Sequence, residues 1–380
     1  MAQRNRSILF MPLEFPGWEL GKPHSYTAQF GLEDGMVANG ARTFVVPAFP
    51  PPPFSRECWQ GRTPELAGAS AFDQAWLGLV HAKYEPDFCS WLVERVPVRV
   101  GLLFESMAYT QAECAELPAL AGREQYVLAQ IRSLGLTHVL CGDERDAAVI
   151  EAGSAARAVW FPTAVPERFV GRAFRPPLIH RAAFFGNLYS EERHKVATWP
   201  GIHGLLAFPR GPELGTDLPA GFDQVHDWMV QALRGGQEAP WEIHARYVQE
   251  LRRLRQGIFQ CWMEGLPHWN GLVNLPSYVK AYAGRVIEAM AANLPAVSWE
   301  VPARPRNLAL FEDGKEILLF RRQHVEQLVE HLARLQRDPD HGRRIVDAAR
   351  QKVLRHHTSE HRVRQVFEWI DEGREPDYGC

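Results

Sequence analysis

Short apolar runs alternate with longer amphipathic segments along the first 160 residues. The runs end at proline, glycine or polar residues, which is typical of strands buried on both faces of a parallel sheet. They predict strands at 8–11, 43–47, 98–104, 138–141 and 158–161. The segments between them predict helices at 25–38, 71–80, 87–93, 121–133 and 144–152. Alternating strands and helices indicate parallel strands joined by right-handed crossovers.

The same alternation starts again after a proline-rich link at Pro162, Pro166, Pro176 and Pro177. It predicts strands at 181–185, 271–275, 296–299 and 316–320, and helices at 222–234, 241–264, 284–292, 325–337, 341–355 and 359–372. We therefore expect an α/β protein with two Rossmann-like domains facing across a cleft. The expected domains are 1–175 and 176–358, and a C-terminal helix at 359–380 crosses back to the first domain.

Composition narrows the possible functions. The net charge of −3 argues against a general nucleic-acid or anionic-membrane binder. The six cysteines form no CxxC pair and no zinc-ligand spacing, so we expect reduced thiols, no metal and a cytoplasmic protein. The N-terminal apolar run is too short for a signal sequence, although docking on a membrane surface stays open. The lack of GxSxG, P-loop and GxGxxG motifs weakens hydrolase, kinase and dehydrogenase interpretations.

The segment 275–297 carries the most specific pattern, which is strand, tight loop, helix and strand. A helix that begins at Gly284 would present backbone N–H groups and the positive end of its dipole to a diphosphate. Arg285 and Glu288 are three residues apart and share one helical face. The cation suits a phosphate, and the carboxylate can accept hydrogen bonds from ribose hydroxyls. A surface arginine and a structural glutamate are the alternatives.

This segment resembles the C-terminal donor motif of group 1 retaining glycosyltransferases with the two-Rossmann GT-B fold. The similarity lies in Pro276-Ser277, in the run Glu288-Ala-Met-Ala291 and in Pro295. The spacing around it, with the run 311–317 and the ending 356–362, looks more like the spore-maturation (CgeB-like) branch. Two positions depart from the family, because Lys280 stands in place of a glutamate and Asn293 in place of a glycine.

The resemblance implies transfer of a hexose-like sugar from a UDP-, GDP- or dTDP-linked donor to an acceptor hydroxyl. It also implies a reaction that retains the stereochemistry at the anomeric carbon and needs neither a metal nor a cofactor. In it Glu288 holds the ribose, while Arg193 and Lys195 face the diphosphate. The other residues assigned to the donor are Gly186, Asn187, Tyr282, Gly284 and Arg285. For the basic pair, a solvated helix face is the alternative.

Two further candidate groups concern catalysis and the acceptor. Glu105 follows a predicted buried strand, so its carboxylate would point into the cleft and orient or deprotonate an acceptor hydroxyl. Lys280 cannot accept hydrogen bonds from sugar hydroxyls but could pair with a phosphate. The first loop, with Gly21, Lys22 and His24, would close over the donor and place the acceptor by resemblance. Structural or solvated roles stay open for each.

Two other functions remain compatible with the sequence. One is a nucleotide-sugar 2-epimerase of the same fold, which would need paired carboxylates and a histidine in the cleft. The other is a non-catalytic protein that binds a nucleotide-sugar or a glycan, and Lys280 favours it. The nucleotide base, the sugar, the acceptor and the oligomeric state are not set by the sequence.

Overall fold

The fold was analysed in a computed structural model. It describes residues 5–12, 30–46, 60–67, 71–171, 174–209 and 220–380. The six strands of the first domain are parallel and lie in the order β2-β1-β3-β4-β5-β6. They are β1 (Arg6–Met11), β2 (Ala41–Val45), β3 (Gln74–Gly78), β4 (Val98–Leu103), β5 (His138–Cys141) and β6 (Arg157–Trp160).

Helices connect these strands, as the sequence predicted for a parallel sheet. They are α1 (Phe30–Ala38), α2 (Thr63–Ala67), α3 (Pro86–Arg95), α4 (Gln111–Glu116), α5 (Arg123–Ser133) and α6 (Asp146–Gly153). The first ends where Gly40 adopts φ 78°, a left-handed conformation that suits a residue without a side chain. A short 3-10 helix, Pro118–Leu120, separates the fourth and fifth helices.

The prediction of a helix at 71–80 was wrong, because this segment contains the strand β3. All five residues of the strand are buried between β1 and β4. A strand covered on both faces has no polar alternation, so its apolar run resembles that of a buried helix. The connection from this strand continues through Val80, whose φ is 75°.

The second domain contains five parallel strands in the order β11-β10-β9-β7-β8. They are β7 (Ala182–Ala183), β8 (Leu206–Ala207), β9 (Leu272–Asn274), β10 (Ala296–Trp299) and β11 (Leu318–Phe320). The helices are α7 (Glu191–Ala197), α8 (Ala220–Gly235), α9 (Pro240–Gly265), α10 (Gly284–Ala291), α11 (Pro305–Ala309), α12 (Val325–Arg337), α13 (Pro339–His356) and α14 (Ser359–Glu372).

The last helix packs against the first domain. A Cβ on Gly35 of α1 would lie 2.4 Å from the carbonyl oxygen of Ser359, so the two helices touch through their backbones. The Asn39 side chain donates a 2.9 Å hydrogen bond to the carbonyl oxygen of Glu360. Further along the helix, the Trp369 ring stands edge-on to His138 of β5, with centroids 4.9 Å apart. The predicted fold, two Rossmann-like domains with a returning C-terminal helix, is confirmed.

Within the described part of the chain, no helix is both long and apolar enough to cross a bilayer.

Candidate functional site

The two domains meet through the segments that follow the carboxyl ends of their central strands. The backbone N–H of Lys280, in the loop after β9, donates to Ser106 Oγ in the loop after β4 at 2.8 Å. Arg304, before α11, forms a bidentate pair with Asp143, which follows β5. Both partners of that pair are buried. Ligands of parallel α/β folds bind at this end of the strands, so the domain boundary is the place to look for a site.

The N-terminus of α10 faces this region without a cap. No side chain accepts a hydrogen bond at the N-cap residue, Ala283, and the helix begins at Gly284. The first N–H groups of a helix have no partner within the helix and carry a partial positive charge. The N–H of Val286 donates to the carbonyl oxygen of Ala283 at 2.9 Å. The methyl side chain of Ala283 cannot cap the N–H groups of Gly284 and Arg285, which suits them to water or a ligand. An anion is the ligand that they favour.

Arg285 lies in the first turn of this helix, and the negative charge of Glu288, three residues further on, acts on its guanidinium. Its Nη1 atom is buried and has no hydrogen-bond partner among the described residues. The guanidinium sits 5.4 Å from the centroid of the Phe184 ring. It also fills the space beside Gly186, where an added Cβ would lie 2.8 Å from Nη1. Burial lowers the pKa of Arg285, which is the electrostatic cost of a cation with little solvent.

Glu288 lies one turn further into α10 and is fully buried. One carboxylate oxygen accepts a 2.8 Å hydrogen bond from the indole N–H of Trp262 in α9. The Trp262 ring in turn packs edge-on against Phe185, with centroids 4.7 Å apart. The carboxylate is therefore held in one orientation by a neighbouring helix.

Arg193 is buried, and its hydrogen bonds go to backbone carbonyls. Nε donates to Pro276 at 2.7 Å and Nη1 donates to Asn187 at 2.7 Å. Its guanidinium also lies 4.1 Å from the ring centroid of Tyr189. Burial lowers its pKa to about 10. The arginine thus fastens the loop after β7 to the loop after β9, with a positive charge between them.

Three other residues assigned to the donor lie in different environments. Lys195 is exposed and pairs with Glu191 one turn earlier in α7, at 2.9 Å. Asn187 is exposed, and its backbone carbonyl oxygen accepts the hydrogen bond from Arg193 Nη1. Tyr282 is buried, and its hydroxyl has no hydrogen-bond partner among the described residues.

Lys280 makes a bridge between the domains. Its ammonium group donates to Glu113 Oε2 at 3.1 Å and to the carbonyl oxygen of Ala108 at 2.8 Å, both in the first domain. Partial burial by itself would raise the pKa of Glu113, but hydrogen bonds from Thr110 and Lys280 lower it below its ordinary value. The same carboxylate completes the capping box of α4 with Thr110. The ammonium group is therefore directed at the first domain.

Glu105 lies at the carboxyl end of β4, as the sequence indicated, and both of its oxygens are engaged. One oxygen shares a hydrogen bond with Nε2 of His81, and the other accepts from Arg123 Nη1 at 3.0 Å. Burial by itself would raise the pKa of this carboxyl. The hydrogen bond and charge of His81 and the charge of Arg123 bring it below its ordinary value. The group is therefore a carboxylate.

The loop residues assigned to the acceptor, Gly21, Lys22 and His24, lie outside the described residues. No group of three or more His, Cys, Asp or Glu side chains could hold a metal ion within the described ranges.

Sequence reasoning missed three contributors to this region. His81 was missed because the run before it was assigned to a helix, and a strand assignment would have placed it beside Glu105 at the sheet edge. Trp262 and Arg304 come from neighbouring elements, and a single sequence gives no signal for their tertiary partners. Their contacts depend on the packing of α9 against α10 and of one domain against the other.

Comparisons with known proteins support the fold. A protein-family model described as "Glycosyl transferase-like" matches residues 244–368, about a third of the chain, which include α10 and its flanking strands. None of the curated proteins matches the sequence.

Solved structures cover almost the whole chain at low identity. Sucrose-phosphate synthase from Thermosynechococcus elongatus has a TM-score of 0.56 at 13% identity, covering 96% of this chain and 98% of its own. An alpha-glucosyltransferase in complex with UDP has a TM-score of 0.55 at 13% identity, covering 97% and 100%. HepE of Anabaena, in complex with UDP and glucose, has a TM-score of 0.51 at 12% identity, covering 96% and 99%. The likeness over both domains establishes that this chain has the GT-B fold of these glycosyltransferases.

Proposed function

We propose that this protein is a glycosyltransferase that moves a sugar from a nucleotide-diphosphate donor to an acceptor hydroxyl. The observation that carries the proposal is the arrangement at the start of α10. There, Arg285 adjoins a helix N-terminus without a side-chain cap, and its buried Nη1 atom has no hydrogen-bond partner among the described residues. A diphosphate satisfies both groups at once. The family match over 244–368, and neighbours whose structures hold UDP or UDP and glucose, support the same ligand class.

The described residues divide the work of donor binding between them. Arg285 and the backbone at Gly284 bind the diphosphate and stabilise the negative charge that builds on it as the sugar leaves. Gly186 allows this anion to approach, because a side chain there would displace the guanidinium. Glu288, oriented by Trp262, accepts hydrogen bonds from the ribose.

Arg193 supports the proposed diphosphate site indirectly, through the backbone of the neighbouring loops. It holds the loops that contain Asn187 and Pro276 and adds positive potential. Lys195, Asn187 and Tyr282 stay candidates at the rim of the donor site. A hexose as the transferred sugar, retention at the anomeric carbon and independence from metal ions follow from the resemblance and belong to this proposal. The base could be uracil, guanine or thymine.

Non-catalytic binding of a nucleotide-sugar is the second candidate, and one contact favours it. Lys280 stands where the resembling family has a glutamate near the reacting sugar, and its ammonium group is bound to Glu113 and Ala108. This position therefore offers the sugar no carboxylate. A protein of this kind would bind the donor and release no product.

The test is a binding and turnover screen with UDP-, GDP- and dTDP-sugars and with the free nucleotides. Binding to the native state raises the unfolding temperature by an amount that grows with the logarithm of the ratio of ligand concentration to Kd. We expect one nucleotide family to stabilise the protein, and Glu288→Gln to reduce that shift. Release of the nucleotide from its sugar then separates the two candidates. No stabilisation by any nucleotide would contradict both.

A further inference from the structure

The first turn of α11 is held by the first domain at two points. Arg304 forms its bidentate pair with Asp143, and the backbone N–H of Asn307 donates to Oε2 of Glu144 at 2.6 Å. Both acids lie in the turn between β5 and α6. The first N–H groups of a helix have no partner within the helix, so a carboxylate that accepts from one of them stabilises the helix end. The first domain therefore fixes the position of α11.

The Asn307 side chain extends this contact to the loop before α10. Its Oδ1 atom accepts a hydrogen bond from the backbone N–H of Tyr282 at 3.2 Å, two residues before the helix begins at Gly284. A backbone N–H can only donate, so the amide oxygen must face Tyr282 and the NH₂ group must point elsewhere. One residue thus joins the first domain, α11 and the loop of the proposed donor site, with its amide held in one orientation.

The NH₂ end of this amide is buried. Asn307 is 1% exposed, and its Nδ2 atom has no hydrogen-bond partner among the described residues. Buried polar groups in native proteins are nearly always paired, and an unpaired donor is costly. The hydroxyl of Tyr282 and Nη1 of Arg285 are also buried and likewise lack a partner within the described ranges. Such atoms on three residues around one loop indicate a ligand with several oxygen atoms.

The order of the groups in a donor matches the order of these residues along the chain. In a nucleotide-diphosphate sugar, the diphosphate lies between the ribose and the sugar. Glu288, proposed for the ribose, lies one turn after Gly284, whereas Tyr282 lies two residues before it. Past the diphosphate, the donor therefore extends along the loop that Asn307 holds, toward the first domain. An amide NH₂ group donates to hydroxyl oxygens, which are the acceptors that a sugar offers.

We propose that Asn307 binds the transferred sugar, with Nδ2 donating a hydrogen bond to one of its hydroxyl oxygens, and that Glu144 is the positioning residue for this contact. The proposal rests on the donor site proposed above and adds the recognition of the sugar. Because Glu144 belongs to the first domain, the contact requires both domains. Binding of the free nucleotide, through Arg285 and Glu288, does not require it. The two domains together then select a donor that carries a sugar over the nucleotide alone.

The test compares the dissociation constant of each free nucleotide with that of its sugar conjugate, by calorimetry with UDP and UDP-glucose, GDP and GDP-mannose, and dTDP and dTDP-glucose. Asn307→Asp keeps the size of the side chain and an oxygen for Tyr282, but it lacks the NH₂ group. We expect it to weaken binding of the conjugate, relative to the nucleotide, by about threefold to tenfold, as the loss of one neutral hydrogen bond would. The added charge acts on both ligands, since both carry the diphosphate, so it largely cancels in the ratio.

Further variants distinguish the sugar contact from other effects. Asn307→Ala removes the amide without adding a charge, and it should lower the preference for the conjugate to the same extent. Glu144→Ala leaves the N–H of Asn307 without its acceptor, so it should lower the preference less, and Glu144→Gln, whose amide oxygen can accept that bond, should restore it. Asn270→Asp is a matched control, because Asn270 lies before the amino end of β9, whereas the donor loop follows its carboxyl end. It should keep the wild-type preference.

The outcomes separate this proposal from the one on which it rests. A purely structural role of Asn307 would weaken binding of the nucleotide and of the conjugate alike. An unchanged ratio in Asn307→Asp and Asn307→Ala would therefore overturn the sugar contact and leave the donor site standing. A wild type that binds a nucleotide but none of the three conjugates would also overturn the sugar contact. A wild type that binds no nucleotide would contradict the donor site itself, and the sugar contact with it.

Discussion

The facing edges of the two sheets differ in how their charged side chains are satisfied. At the edge of the first sheet, Asp143 and Glu105 each have a cationic partner. At the start of α10 in the second domain, the buried Nη1 atom of Arg285 has no hydrogen-bond partner among the described residues, and the helix N-terminus has no side-chain cap. These two carboxylates of the first edge are engaged by cations, whereas the second edge presents hydrogen-bond donors suited to an anion.

This difference indicates which half awaits a ligand. A buried donor without a hydrogen-bond partner is costly, and a ligand that accepts a hydrogen bond from it removes that cost. The pair of Asp143 with Arg304 instead joins the first domain to the second. This difference supports the donor site proposed in the second domain.

The largest expected effect concerns the ion pair between the domains. Arg304→Ala leaves the fully buried Asp143 carboxylate without its partner, and we expect a loss of about 3–5 kcal/mol of unfolding free energy. Denaturant unfolding measures it. The control is the double variant Asp143→Leu with Arg304→Met, which removes both charges and should be clearly more stable than Arg304→Ala. Equal stability of the two variants would show that the pair is not the source of the loss.

The next effect concerns Asp146, which lies behind this ion pair. Burial and the charge of Asp143 raise its pKa to about 8. Between pH ~4 and pH ~8 the native state holds a proton that the unfolded state has lost, so stability falls as pH rises. Asp146→Asn cannot titrate, and it should flatten this dependence and gain on the order of 1–3 kcal/mol relative to wild type above pH ~8.

Thermal unfolding between pH 5 and pH 9 measures this effect. Asp347→Asn, at an exposed carboxylate, should keep the wild-type dependence. A dependence that persists unchanged in Asp146→Asn would assign it to another group.

A smaller effect concerns the bridge from Lys280 to Glu113. Lys280→Met removes a partly exposed ion pair, and we expect a loss of about 1 kcal/mol. Lys280→Glu places two carboxylates together, so it should cost more, although it restores the residue of the resembling family. Adding Glu113→Lys should recover part of that loss. A Lys280→Glu variant as stable as wild type would show that the domains do not depend on this contact.

Much of the fold was accessible from the sequence, because parallel strands and their helices leave strong local patterns. α10 and α14 were predicted to within one residue at each end. The loop before Gly284 and the polar residues around Ser359 mark where these helices begin. β3 was missed because a fully buried strand has no polar alternation to distinguish it from a helix.

The candidate site was accessible only in part. Gly284, Arg285 and Glu288 could be chosen together because they share one short segment. The partners of Lys280 and Glu105 could not, since Glu113 and His81 are brought to them by long-range packing. Arg193 and Lys195 lie two residues apart on α7, yet the first is buried and the second is exposed. This difference also follows from packing rather than from the local sequence.

The role of Arg285 is tested most directly by calorimetric titration of UDP, GDP and dTDP into the wild type and Arg285→Gln. A charged hydrogen bond contributes about 1.5–3 kcal/mol, so we expect the variant to bind its nucleotide about tenfold to a hundredfold more weakly. Arg343→Gln, at an exposed arginine on α13, should bind as the wild type does. Equal affinity in Arg285→Gln and wild type, with both proteins folded, would show that the start of α10 is not the diphosphate site.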